Sequence, residues 1–246
     1  MDDSEFVKKS LNKETKEIEI KDGNNIRTLR VELKSRGKIR NLYGEFWLFL
    51  FEIDDEWKEY YVLVKAKLDS ELTPNFTSKE IILRIDSACI TGNLFLDNSC
   101  DCKLQLETAM EIVSNSNEGL IIYIPGQDGR GLGLENKLPT LSLIYEMQYD
   151  TIKAFKKVLN CNNTDQRSYS GAIAILKFFK ISNDTKFILL TRSKNKSKIL
   201  YENNFLNVKF IDVSNSYNEI IARNKKAKND DEKLPPIEQP PLPVIS

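Results

Sequence analysis

The 246-residue chain contains no histidine. That absence excludes a Ser-His-Asp triad, a Cys-His dyad, a zinc site with histidine ligands and a histidine general base. Any proton transfer must therefore use Asp, Glu, Lys, Tyr or Cys, or a water molecule bound to a metal ion.

Net charge, long apolar runs and abundant cysteine are lacking as well. The 36 Lys and Arg residues balance 36 Asp and Glu residues, so we expect no nucleic-acid partner, and any anionic ligand needs a local site. The longest apolar run, residues 46–51, is far too short to span a membrane, and the first residues do not resemble a secretion signal. Four cysteines are too few for a secreted disulfide scaffold. We therefore expect a soluble, cytoplasmic protein without a membrane partner.

The hydrophobic pattern predicts a mixed α/β fold with α+β character. In the N-terminal half, the apolar stretches 44–53, 60–67 and 79–86 are typical of strands, which we expect to pair antiparallel. From residue 104 to residue 213 predicted strands alternate with predicted helices, which indicates strand–helix units packed against those strands. These elements include a helix over 104–114, which we expect Gly119 to end, and a strand over 187–191.

Three regions are predicted along the chain. Residues 1–40 are rich in charges of both signs, with a turn at 21–25 between two weakly alternating stretches; a short hairpin is possible, but the pattern favours a solvated extension. Residues 41–223 would form the folded domain. Residues 224–246 are charged and then proline-rich, which predicts a disordered tail.

Three cysteines are the strongest candidates for chemistry. Cys89, Cys100 and Cys102 follow a C-x10-C-x-C pattern, whereas Cys161 is distant in the sequence. Three thiolates without histidine match a zinc site that keeps its fourth position open for water, which is the arrangement of a catalytic zinc. Such a zinc lowers the pKa of its water to about 7. The spacing alone equally allows three buried free thiols.

A glycine-rich loop, residues 126–133, follows a predicted strand and contains four glycines and Arg130. Glycines let backbone N–H groups approach an anion, the following helix presents its positive end, and a guanidinium binds phosphate with two hydrogen bonds. The loop matches neither the Walker A pattern nor G-x-G-x-x-G, so an ordinary turn stays an alternative.

Two polar stretches are further candidates. Asp165 and Arg167 precede a predicted helix, where Asp165 either caps the helix or orients Arg167. Lys194, Lys196 and Lys198 form a local basic cluster that either holds a phosphate or faces solvent.

Taken in this order, the motifs resemble GTP cyclohydrolase II, the zinc enzyme that opens riboflavin biosynthesis, over residues 44–213. Residues 84–92, RIDSACITG, resemble the family sequence R-V-H-S-E-C-L-T-G. Residues 100–105 match C-D-C-x-x-Q, and residues 127–134, QDGRGLGL, match Q-E-G-R-G-I-G-L. The combination of the cysteine spacing with this loop is specific.

The resemblance implies that Cys89, Cys100 and Cys102 ligate zinc, whose water attacks C8 of guanine with later release of formate. It also implies that Arg167 acts at the α-phosphorus as pyrophosphate leaves, with Asp165 as its base or orienter. Because the pKa of arginine exceeds 12, an electrostatic role is physically easier than a nucleophilic one. Magnesium on the triphosphate and a homodimer are implied too. The implied nucleotide contacts are Arg84, Gln105, Asp128, Gly129, Arg130, Thr151, Thr191 and Lys196.

The chain departs from the family pattern at several positions. Asp86 and Ala88 stand where the family has His and Glu, and Asp128 replaces a Glu that is one methylene longer. Leu141 occupies the position of a tyrosine that assists the second hydrolysis. Tyr145, one helical turn further on, is the candidate catalytic substitute.

Three interpretations of function follow. The first is a working or partly working cyclohydrolase; the loss of the tyrosine suggests a variant that opens the imidazole ring of GTP but stalls at a formamide product. The second is a catalytically degenerate relative that binds zinc and a nucleotide in a regulatory or structural role. The third is a paralogue that acts on another nucleotide.

Overall fold

The computed structural model describes residues 2–214 and 219–232, which form a large curled sheet with helices on its faces. The strands are β1 (Glu14–Asp22), β2 (Asn25–Asn41), β3 (Gly44–Ile53), β4 (Glu59–Lys65), β5 (Lys67–Leu68), β6 (Pro74–Asn75), β7 (Glu80–Ser87), β8 (Gly119–Ile124), β9 (Lys186–Leu190) and β10 (Val208–Ile211). The helices are α1 (Asp3–Ser10), α2 (Ile90–Asn93), α3 (Cys102–Ser114), α4 (Gly133–Glu146), α5 (Thr151–Leu159), α6 (Ser170–Phe178), α7 (Lys194–Glu202) and α8 (Glu219–Glu232).

The main sheet has the strand order β1-β2-β3-β4-β8-β7-β9-β10. In this order, the neighbouring strands β1, β2, β3, β4 and β8 pair antiparallel, and the neighbouring strands β8, β7, β9 and β10 pair parallel. Strands β5 and β6 form a separate small antiparallel pair. The predicted mixed α/β class is therefore confirmed. The antiparallel pairing expected in the first half is present for β3 and β4, but it is wrong for β7, the strand predicted at 79–86, which is parallel to both β8 and β9.

Both faces of the central strands are covered, which explains their nearly continuous apolar sequences. On β8, Ile122 and Ile124 face a large core that includes α6, whereas Ile121 faces a smaller core that includes Ala109 and Val113 of α3. Each of these isoleucines is completely buried, and such burial typically contributes about 1.5–3 kcal/mol per side chain.

The solvated N-terminal extension that the sequence favoured is wrong for residues 14–41. They form the antiparallel pair β1–β2, and β2 pairs with β3, so the hairpin is part of the main sheet. Leu29, Val31 and Leu33 alternate with polar residues, and all three are buried in the core. The charged residues of β1 and β2 lie on the solvated face of the sheet, and their number made the segment resemble a solvated extension. The domain boundaries themselves stay a prediction.

Two further expectations need correction. Residues 224–232, predicted to be disordered, belong to helix α8, whereas the proline-rich part of the predicted tail lies outside the described residues. Gly119, which we expected to end a helix, instead opens β8, and α3 ends at Ser114. A Cβ at Gly119 would lie 3.0 Å from the carbonyl oxygen of Ile82, so glycine is needed for close strand pairing.

The candidate functional residues gather at one edge of the sheet. The parallel strands β7, β8 and β9 end there, and each continues into a segment singled out from the sequence: Cys89, the glycine loop and Thr191. Ligands of open α/β sheets bind at the carboxyl ends of such strands. Within the described ranges, no helix combines the length and the apolar character needed to cross a membrane.

Candidate active site

The three predicted zinc ligands converge although they come from separate elements. Cys89 precedes α2, and Cys102 is the first residue of α3, just after Cys100. All three sulfur atoms lie within 4.8 Å of one another, and those of Cys89 and Cys100 are 3.6 Å apart. Two thiolates on one zinc, at about 2.3 Å each, lie a little under 4 Å apart, so the spacing fits a shared metal. Among the described residues, no Asp or Glu joins the cluster.

Gly92 on α2 packs directly against the sulfur atoms of the cluster, where a larger side chain would not fit. A Cβ at this position would lie 2.7 Å from Sγ of Cys100 and 3.1 Å from Sγ of Cys89. Only glycine therefore lets α2 pack against the cluster. Together with an all-thiol donor set, this packing fits a soft divalent metal such as zinc.

Lys137 of α4 reaches the same cluster from the other side. Its ammonium group donates to Sγ of Cys89 at 3.1 Å and to the carboxylate of Asp128 at 2.8 Å. Hydrogen bonds from the Cys100 and Cys102 thiols and the nearby Lys137 charge outweigh burial and lower the pKa of Cys89. Cys89 is therefore the thiol of the cluster that ionises most readily, which favours metal binding.

The glycine-rich loop has an unusual backbone because two consecutive residues adopt the left-handed conformation, Gly129 at φ 60° and Arg130 at φ 63°. A non-glycine residue pays about 1 kcal/mol or more for this conformation, so the surroundings must hold Arg130 in place. They do: Nε of Arg130 donates to the carbonyl of Thr164 at 2.7 Å, and the carbonyl of Arg130 accepts from the N–H of Gln166 at 3.0 Å.

Asp165 joins the two arginines of the site. It forms an ion pair with Arg130 at 3.1 Å, and its two carboxylate oxygens accept from Nε and from a terminal nitrogen of Arg167. Burial raises the pKa of Asp165, but the hydrogen bond and charge of Arg167 together with the charge of Arg130 leave it lowered. The carboxylate of Asp165 thus contacts two guanidinium groups. Of its two predicted roles, capping a helix or orienting Arg167, these contacts correspond to the second.

Arg84 on β7 is held by residues of the protein itself. Its guanidinium donates to Asp86 at 2.5 Å, to the carbonyl of Leu190 at 2.7 Å and to the side chain of Gln105 at 3.0 Å. Gln105 in turn donates to Asp101 at 2.8 Å. Asp86, one of the departures from the family pattern, therefore orients Arg84 at the cavity wall.

Two neighbouring cavities lie over this edge of the sheet. The first has a volume of about 180 Å³, and seven cationic side chains line it against two carboxylates. The second, of about 110 Å³, contains the cysteine cluster and the apolar side chains of Leu141, Ile144 and Phe155. Cys100, Arg130 and Arg167 line both, so the cavities are continuous. The cationic residues of the first cavity are Arg84, Arg130, Arg167, Arg192, Lys196, Lys225 and Lys228.

Comparison with known proteins agrees with this arrangement. A family model described as GTP cyclohydrolase II matches residues 32–209. The chain belongs to the GTP cyclohydrolase II family. The matched region begins 12 positions before the resemblance noted in the sequence, and residues 32–41 of it lie in β2.

Several relatives are similar over part of their length. The chain is 40% identical over 154 residues to the riboflavin biosynthesis protein RibBA of Staphylococcus epidermidis, covering 63% of this chain and 36% of that protein. It is 33% identical over 202 residues to RibBA of Staphylococcus saprophyticus, covering 81% and 47%. The chain thus spans less than half the length of these curated relatives. The solved structure of RibBX, a two-domain 3,4-dihydroxy-2-butanone 4-phosphate synthase from A. baumannii, matches 73% of this chain and 39% of that chain with a TM-score of 0.37 and 16% identity.

The residues that the GTP cyclohydrolase II resemblance nominated do not all reach the cavities. Arg84, Gln105, Thr191 and Lys196 line the first cavity, and Gly129 and Thr151 line the second. Asp128 lines neither, because its carboxylate accepts from Lys137 and from the backbone N–H groups of Gly129 and Ile90.

Tyr145 also lies apart from both cavities. Its hydroxyl donates to Asp97 at 2.5 Å, and 44% of the residue is exposed. Leu141, at the position of the family tyrosine, is among the residues of α4 that line the second cavity. The structure therefore does not bring Tyr145 into the position that its predicted catalytic role requires.

Sequence reasoning missed several residues at the site, among them Lys137, Asn224 and Lys228. Lys137 directly follows the glycine-loop motif in the family pattern, which is a signal that was available. Asn224 and Lys228 belong to a segment that we expected to be disordered, and no local pattern marks them.

Proposed function

We propose that this chain opens the imidazole ring of GTP at C8, with zinc at the cysteine cluster and magnesium on the triphosphate, and releases pyrophosphate; a second hydrolysis would then release formate. The observation that carries the proposal is the continuity of the thiol-lined cavity with the cationic one. A nucleotide whose base lies at the sulfurs has its phosphates among guanidinium and ammonium groups. Family membership supports the same conclusion.

The base side of the cavity combines apolar walls with a charge-balanced cluster. Leu141, Ile144 and Phe155 offer the apolar lining that a purine ring requires. Zinc bound by the sulfurs would supply a water of pKa about 7, a nucleophile at neutral pH. Three thiolates exceed the charge of a divalent cation by one, and the ammonium of Lys137, shared between Cys89 and Asp128, partly offsets that excess.

The phosphate side depends on preorganised positive charge. Arg130 and Arg167 are fixed by Asp165, so no reorganisation is needed when a phosphate arrives. Because arginine stays protonated, we assign Arg167 the role of stabilising charge on the α-phosphate and the leaving pyrophosphate rather than of attacking phosphorus. A water molecule attacks the α-phosphorus as its bond to the bridging oxygen of the pyrophosphate breaks; the α-phosphate stays on the nucleoside and the proton of the water passes to the pyrophosphate or to solvent. Thr191 and Lys196 line the cavity further along and serve as phosphate contacts.

A second outcome is favoured by one observation, the presence of Leu141 in the cavity wall while Tyr145 is hydrogen-bonded to Asp97. Without a hydroxyl at that position, the second hydrolysis lacks its assisting group. We propose that the reaction stops at a formamide product. A degenerate binding protein, or a paralogue specific for another nucleotide, would share the same cavity.

A homodimer and a cytoplasmic location complete the proposal. The consecutive side chains Leu94, Phe95 and Leu96 are 71%, 75% and 56% exposed, and a second copy of the chain would cover such a surface. Free cysteines fit a reducing compartment. Analytical ultracentrifugation of the purified protein tests the dimer.

The decisive experiment identifies products by mass spectrometry after incubation of zinc-loaded protein with GTP and magnesium. We expect a ring-opened formamide, with pyrophosphate released. Cys102→Ser should abolish zinc binding and turnover, whereas Cys161→Ser, at an exposed cysteine away from the cluster, should leave both unchanged.

Recovery of unreacted GTP alone would refute the proposed reaction. A rise in melting temperature with GTP but no product would favour the degenerate binding protein. Turnover of a different nucleotide would favour the paralogue.

A further inference from the structure

Helix α8 packs over the active cavity, although it lies beyond the residues that the family model matches. Ile221, Asn224, Lys225 and Lys228 all line the first cavity, and Asn224 and Lys228 also line the second. These positions recur at i, i+3, i+4 and i+7, so one stripe of α8 faces the site. Lys226 lies off this stripe and is exposed.

Asn224 fixes the helix at the site. The residue is only 4% exposed, and its side chain accepts from the N–H of Thr151 at 2.8 Å and donates to the carbonyl of Ser99 at 2.9 Å. Thr151 begins α5, and Ser99 directly precedes Cys100. One buried amide therefore bridges the start of α5 and the loop that carries a thiol of the cluster.

The two lysines of the stripe differ in their surroundings. Lys225 lies 3.9 Å from the carboxylate of Asp212, which also pairs with Arg192 at 3.4 Å. Lys228 lines both cavities, as Arg130 and Arg167 do. Cationic side chains that line one cavity repel one another, and a bound anion would reduce that repulsion.

We propose that α8 is part of the nucleotide site, with Lys228 as a phosphate-binding residue and Asn224 as the residue that positions the helix. The proposal rests on the proposed function only for the identity of the nucleotide, since the geometry calls for a polyphosphate anion in any case. It adds to the site a contact that the matched family region does not contain.

The test compares Lys228→Gln with Lys226→Gln in the zinc-loaded full chain. Both variants remove one positive charge from the same helix, but only Lys228 faces the cavity. We measure the affinity for inorganic tripolyphosphate by calorimetry, and the affinity for GTP and for guanosine in parallel. Loss of a charge-assisted contact should weaken tripolyphosphate and GTP binding about tenfold in Lys228→Gln. Guanosine affinity, and every affinity of Lys226→Gln, should stay within about twofold of wild type.

The outcomes separate this proposal from the proposed function. If the wild type turns over GTP but Lys228→Gln binds both phosphate ligands as well as Lys226→Gln does, the role of Lys228 is refuted and the proposed function stands. If the wild type leaves GTP unchanged while tripolyphosphate binding depends on Lys228, the proposed function fails and the role of α8 stands. Failure of the wild type to bind either ligand overturns both.

A double-mutant cycle tests the positioning role of Asn224. If Asn224 acts by holding Lys228 over the cavity, Asn224→Ala should weaken tripolyphosphate binding in the wild-type background and have little further effect on Lys228→Gln. Additive losses of tripolyphosphate affinity would show that Asn224 does not act through Lys228.

Discussion

The ammonium nitrogen of Lys137 lies 3.1 Å from the sulfur of Cys89, although 48 positions separate the two residues in the chain. Burial lowers the pKa of Lys137, but the charges and hydrogen bonds of Cys89 and Asp128 outweigh burial and raise it. The side chain is therefore a permanent buried cation between the thiol cluster and the glycine loop. Four predictions follow from such relationships.

Replacement of Lys137 should weaken metal binding. In Lys137→Met the thiolate cluster loses its balancing charge, and outer partners of metal ligands typically contribute about 10- to 100-fold in affinity. Competition with a chromophoric chelator at neutral pH measures the zinc affinity. Lys157→Met, at an exposed lysine of α5, is the control and should bind zinc like the wild type. Equal affinities in the two variants would contradict the assignment.

Gly131→Ala should be more harmful than Gly133→Ala. Both glycines have φ of 80°, so each substitution carries the same left-handed strain of about 1–2 kcal/mol. A Cβ at Gly131 would in addition lie 2.9 Å from Trp57 and 3.1 Å from the backbone nitrogen of Arg167, whereas the space at Gly133 is open. Urea unfolding should therefore give a larger stability loss for Gly131→Ala, together with weaker tripolyphosphate binding. Equal losses of unfolding free energy in the two variants would show that the close packing of Gly131 against Trp57 and Arg167 does not contribute to stability.

Leu141→Tyr should change the product rather than the affinity for GTP. Because Leu141 lines the thiol cavity, a tyrosine there would place a hydroxyl group beside the base, and we expect formate release to rise from the stalled reaction. Leu138→Tyr, on the exposed part of the same helix, is the control and should leave the product distribution as in the wild type. Mass spectrometry with a formate assay measures both. An unchanged formamide product in Leu141→Tyr would show that another group limits the second hydrolysis.

Asp165→Asn should destabilise the protein in a pH-dependent manner. Because the pKa of Asp165 is lowered in the folded state, its carboxylate stabilises the fold above the unfolded-state pKa of about 3.9, and this contribution disappears as the pH falls through the folded-state pKa. We expect a loss of about 2 kcal/mol at pH 7 and a smaller loss at pH 3. Urea unfolding of metal-free protein at both pH values removes any effect of zinc release.

The matched control for this measurement is Asp184→Asn, at an exposed aspartate. Its effect on stability should stay within about 0.5 kcal/mol at both pH values. A loss in Asp165→Asn that is equally large at pH 3 would mean that shape or hydrogen bonding, and not the ionised carboxylate, holds the two arginines.

Much of the second half of the fold was predictable because each element carries a local signal. The helix predicted at 104–114 is α3, and the strand predicted at 187–191 is β9, each displaced by no more than two residues. Helix α5 was missed, although Asp150 caps it through a hydrogen bond to the N–H of Lys153. The hairpin β1–β2 was misjudged because its burial depends on β3, which is distant from β1 in the sequence.

Residue identity and spacing by themselves determined the all-thiol donor set, the glycine-rich loop and the family, since these motifs are contiguous and their chemistry follows from their composition. Tertiary structure alone decided that Lys137 touches Cys89, that Tyr145 points to Asp97, and that α8 brings Asn224 to Ser99 across 125 positions of sequence. The physical reason is that such contacts exist only after the sheet has assembled and brought distant segments to one edge, and no local periodicity encodes them.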